Sequence, residues 1–96
     1  MLIEIDMFQL AAETSEVAFL EADRAVQAEV VPRAAGFVRR TTARGAGGDW
    51  AVITLWRSEA EADASEELSR EHPAQIRFME LVDGSSRRTS RWTTLD

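Results

Sequence analysis

The sequence predicts an α+β fold, a four-stranded antiparallel sheet with helices on one face, and three observations carry that prediction. Short hydrophobic runs of strand character are interspersed with segments of helical periodicity. Glycine or proline stands near most junctions between them. Two of the strand-like runs are joined directly by a glycine-rich turn, while helical stretches separate the others. With 45% hydrophobic and 29% charged residues, the 96-residue chain suits one ordered domain spanning residues 1–96. A domain of this size buries a modest share of its surface, so a partner subunit would add stability.

The opening run Leu2 to Leu10 alternates imperfectly, with Ile3, Ile5 and Met7 on one face and Glu4, Asp6 and Phe8 on the other. It reads as a first strand. Thr14 or Ser15 can cap the following helix, with Glu16 in its first turn. Phe19, Ala22, Val26 and Val30 form its apolar stripe, and Pro32 ends it by about residue 31. Gly36 releases the chain into a second strand, Phe37 to Ala43, and Gly45, Gly47 and Gly48 permit a tight connection to a third, Trp50 to Trp56. Ser58 and Glu61 match a capping box, so a second helix starts just after Arg57 and stops near His72-Pro73. Pro73 opens a short third helix with Ile76, Met79 and Val82 expected inward, and Gly84 terminates it. Arg87 to Leu95 alternates as a fourth strand. The order β-α-β-β-α-α-β is a ferredoxin-like split with one additional helix.

Composition excludes several chemistries. The chain has no cysteine, so disulfides, thiolate metal sites and cysteine nucleophiles are out. It has one histidine, His72, too few for a histidine-rich metal site within one subunit. Lysine and tyrosine are absent, which removes Schiff-base and phenolic acid chemistry. A net charge of -6 argues against nucleic acid. The start MLIEIDMF resembles no signal sequence, and no apolar run is long enough to span a bilayer, so the expected location is the cytoplasm with no membrane partner. The glycines at 45, 47 and 48 join hairpin strands rather than opening a helix, which disfavours a phosphate loop.

Helices can cover only one face of the sheet. If the alternation holds, the other face carries Phe8, Trp50, Val52, Trp56 and Trp92, too apolar for water, and a second copy of the chain is the simplest cover.

Several stretches carry a family resemblance: Ala35-Gly36-Phe37 after the helix that ends at Pro32, and the junction Trp56-Arg57-Ser58-Glu59 leading into an alanine-rich helix and His72-Pro73. In these the chain resembles the dimeric α+β barrel superfamily, and within it the antibiotic biosynthesis monooxygenase-like domains. The resemblance implies a homodimer, a cavity in each subunit between sheet and helices, and cofactor-independent oxygenation of small aromatic or quinol-like substrates. No cofactor is expected. The haem-degrading members carry an asparagine near the end of the first strand and a tryptophan inside the second helix. This chain has no asparagine, and residues 62–67 hold no tryptophan.

Within that frame His72 is a candidate base, able to accept a proton from an acidic phenol or quinol, and Asp6 can orient it or act as base itself. The competing reading of His72, just before a proline at a helix junction, is a cap or an exposed surface residue. Trp50 and Trp56 are candidate walls of a flat ligand pocket, with core or interface packing as the alternative. Phe19 and Arg39 complete the candidate ligand contacts. Arg39 and Arg40 point to opposite faces, so at most one reaches a common cavity. The alternative function is a homodimeric domain that binds a small hydrophobic ligand, or stabilises an assembly, without catalysis.

Overall fold

The computed structural model describes residues 1–95. Among them, β1 (Leu2–Gln9), β2 (Phe37–Arg44), β3 (Asp49–Trp56) and β4 (Arg88–Thr93) form one antiparallel sheet in the order β2-β3-β1-β4. Helices α1 (Glu16–Ala25), α2 (Glu59–Ser69) and α3 (Pro73–Glu80) pack on one face, giving the predicted α+β architecture. No helix among the described residues is long and apolar enough to cross a membrane.

The ends of the helices follow local chemistry. Ser15, rather than Thr14, caps α1, its hydroxyl accepting from the Ala18 N–H at 3.1 Å. Ahead of Pro32, α1 loosens after Ala25 into a π-helical turn, Val26–Val30, and then a 3-10 turn, Val31–Arg33. Ser58 caps α2 by accepting from the Glu61 N–H at 3.2 Å. The reciprocal half of the capping box is not made, because the Glu61 carboxylate packs against Gly36, and its Oε2 is buried without a hydrogen-bond partner. Gly36 has φ +80°, and a Cβ there would overlap that carboxylate. In the hairpin connection Gly47 and Gly48 both take positive φ, as the turn requires.

Strand register decides which residues share the helix-covered face. Phe8 pairs with Trp50, Asp6 with Val52, Glu4 with Thr54 and Leu2 with Trp56. Paired residues share a face, so all eight point toward the helices. This corrects the expectation that Phe8, Trp50, Val52 and Trp56 form the uncovered face: each is buried in the core of the single chain, Phe8 and Trp50 with Phe19, Val26 and Phe78. Phe19 is fully buried, its ring centroid 4.8 Å from that of Trp50. The uncovered face instead carries Ile3, Ile5, Met7, Ile53, Leu55 and Trp92, of which Trp92 is 59% exposed. In α3 the inward residues are Ala74 and Phe78, whereas Ile76, expected inward, is exposed because it lies two residues from each and so on the far side of the helix.

Candidate functional site

Between the sheet and the helix layer lies a cavity of about 490 Å³. One flank is apolar, with Trp56, Phe37, Val52, Val31 and Phe78 among its walls; the opposite flank, on β1 and β4, is charged. The charges there are paired. Asp6 accepts from Arg87 Nε at 3.0 and 3.1 Å and from the Thr89 hydroxyl at 3.1 Å. Glu4 accepts from Arg91 Nε at 3.0 Å, and Arg91 reaches across to Asp63 on α2 at 2.6 Å. The hydrogen bond to Asp63, followed by that to Glu4, raises the Arg91 pKa above its ordinary value despite partial desolvation, so its charge is fixed.

Arg40 forms the ceiling of the apolar flank. Its guanidinium donates to Asp23 on α1 at 2.8 Å, Asp23 also accepts from the Thr42 hydroxyl at 3.0 Å, and the guanidinium carbon stands 5.9 Å from the Phe78 ring centroid. The pair is deeply sheltered, with side-chain exposures of 7% for Arg40 and 13% for Asp23. One donor of a cavity-lining residue is unspent. Trp56 Nε1 is buried and has no hydrogen-bond partner, which a folded chain rarely tolerates.

The six residues singled out from sequence separate into different places. Asp6 and Trp56 line the cavity. Trp50 lines a different depression of about 530 Å³ at the hairpin end of the sheet, and Phe19 is core that borders neither space. Arg39 pairs with Leu55 and lies on the uncovered face; Arg40 pairs with Thr54 and takes the cavity position. The cause is a bulge between Phe37 and Arg39. Counting by twos from Phe37 puts Arg39 on the core face, and the extra residue Val38 moves that place to Arg40.

His72 and Asp6 are not brought together. His72 is the N-cap of α3, its Nδ1 accepting from the Ala74 N–H at 3.1 Å. It lines a notch of about 190 Å³ outside the cavity. Arg40, Thr54, Arg87 and Arg91 also line the cavity and were not among the six candidates. Among the described residues no three His, Cys, Asp or Glu side chains converge to hold a metal ion.

No family model and no curated protein matches the sequence. Solved structures do match the fold. SnoaB, a cofactor-independent oxygenase from Streptomyces nogalater, superposes with a TM-score of 0.81 at 15% identity, covering 99% of this chain and 93% of that one. An antibiotic biosynthesis monooxygenase gives 0.78 at 11% identity with 100% of both chains covered. A conserved protein from Methanosarcina mazei Go1 gives 0.76 at 11% identity, with 95% and 89% covered. The described chain thus shares the fold of these solved structures, a ferredoxin-like four-stranded antiparallel sheet with helices on one face.

Proposed function

We propose that the protein is a cytoplasmic, homodimeric oxygenase that needs no cofactor and takes a small aromatic or quinol-like substrate into the cavity between sheet and helices. The observation that carries this reading is a cavity lined by Asp6 and by Trp56, whose buried N–H has no hydrogen-bond partner. A carbonyl or phenolate oxygen of the ligand, met by a small turn of the indole, satisfies that donor. Phe37, Val52 and Phe78 flank the ring. Asp6 takes a proton from the activated substrate carbon, and the electron pair left behind passes to dioxygen. For a carbon bearing two hydrogens, one oxygen atom stays as a carbonyl and the other leaves as water. Two copies of the chain cover each other's uncovered faces through Ile3, Ile5, Ile53, Leu55 and Trp92.

Binding without turnover is the second reading. It is favoured by the pairing of Asp6 with Arg87 and Thr89, which occupies the oxygens a base would use. Oxygen uptake with 1,4-dihydroxynaphthalene, corrected for autoxidation, separates the two. Turnover lost in Asp6→Asn but ligand binding retained supports the oxygenase. Binding of the same compound, weakened by Trp56→Phe, with no enzyme-dependent oxygen uptake establishes the binding domain. Absence of both refutes the cavity as a ligand site.

A further inference from the structure

The inner cavity has a neighbour on the outer side of the helix layer. Val30, Ser65 and Ser69 line both it and the outer notch, so only these residues of the π-helical turn and α2 separate the two spaces. Three features of the notch bear on what it could hold. Leu68 is 75% exposed and joins no core cluster among the described residues. Arg33 is exposed and, like several other arginines, has no ion-pair partner among the described residues, so its charge is free to meet an anion. His72 spends Nδ1 as an acceptor, so its neutral ring carries the proton on Nε2 and keeps a donor to offer.

An apolar wall and two polar side chains in the lining of one notch, one of them a cation, suit one ligand chemistry. We infer that the notch is a subsite for a carboxylate carried on a short apolar arm: the arm lies along Val30, Ala34 and Leu68, and the carboxylate meets the Arg33 guanidinium and His72 Nε2. This rests on the reading that the inner cavity holds the ligand's aromatic body, and it names the substrate class as an aryl alkanoic acid. His72 is then a recognition residue at the mouth. Guanidinium–carboxylate pairing gives orientation as well as attraction, so the acid end stays outward while the ring enters.

The test uses 4-(2-naphthyl)butanoate and its primary amide, which has the same shape without the charge, titrated calorimetrically into the full chain. The expected result is a preference for the acid of about tenfold at low salt, shrinking as salt rises. Arg33→Gln should abolish the preference while leaving amide affinity within about twofold, because the amide makes no ion pair to lose. His72→Asn, which keeps a capping side chain for α3, should reduce the preference partially. Equal affinity for acid and amide in the native protein, or a preference untouched by Arg33→Gln, overturns the subsite while leaving the inner cavity's role intact. Failure of both compounds to bind overturns the subsite and the underlying cavity reading together.

Discussion

The Arg40–Asp23 pair offers the sharpest test of how this fold is held together. Removing the carboxylate with Asp23→Ala leaves a guanidinium whose side chain is only 7% exposed, and also takes the acceptor from the Thr42 hydroxyl. Stripping one partner from a buried ion pair costs about 3–5 kcal/mol, because the remaining charge is left desolvated. Domains of about a hundred residues have a total stability of roughly 5–15 kcal/mol, so the loss is a large share of the whole. Replacing both partners by apolar residues of similar volume, Asp23→Leu with Arg40→Met, should recover most of it, since no buried charge remains and Phe78 keeps an apolar neighbour. Equilibrium urea unfolding at one fixed protein concentration measures both variants. A loss below about 1 kcal/mol for Asp23→Ala, or a double variant no more stable than the single, would refute the claim that this pair is a desolvated, mutually dependent unit.

Three further outcomes are expected. Gly36→Ala should destabilise by at least about 1 kcal/mol, since it forces a side chain into φ +80° and onto the Glu61 side chain; adding Glu61→Ala should recover only part of the loss, because its Cβ still lies 2.7 Å from the new one and the backbone strain remains, read by thermal melts. Phe19→Ala, at a side chain 0% exposed between Phe8, Trp50 and Phe78, should cost about 3–5 kcal/mol in urea unfolding. His72→Ala should cost about 1 kcal/mol through the lost cap on the Ala74 N–H, and His72→Asn should restore most of it.

Element identity was readable because it is local. Ser15 and Ser58 cap the helices they were expected to cap or to compete for, Pro73 opens α3, and Gly47 and Gly48 between β2 and β3 take positive φ. Each depends on the conformational preference of one or two residues and their neighbours in sequence. The weakening of α1 into a π-helical turn was not readable from the apolar stripe, which continues through Val26 to Val30 without a break.

Two of the six candidate site residues, Asp6 and Trp56, line the inner cavity, and the reasons the others do not are tertiary. A strand's alternation states which residues share a face but not which face the helices choose, so Phe8, Trp50, Val52 and Trp56 could be grouped together yet assigned to the wrong side. One inserted residue at Val38 exchanged Arg39 for Arg40. The ion pairs that link Asp6 to Arg87 and Glu4 to Arg91 join residues more than eighty positions apart and exist only because β1 and β4 are neighbours in the sheet. From its sequence alone this protein determined its fold class, its order of elements and the stock of side chains available for chemistry. Which of those side chains meet around one cavity was decided by strand order, register and the side on which the helices pack, quantities set by the summed burial of the whole chain rather than by any short stretch of it.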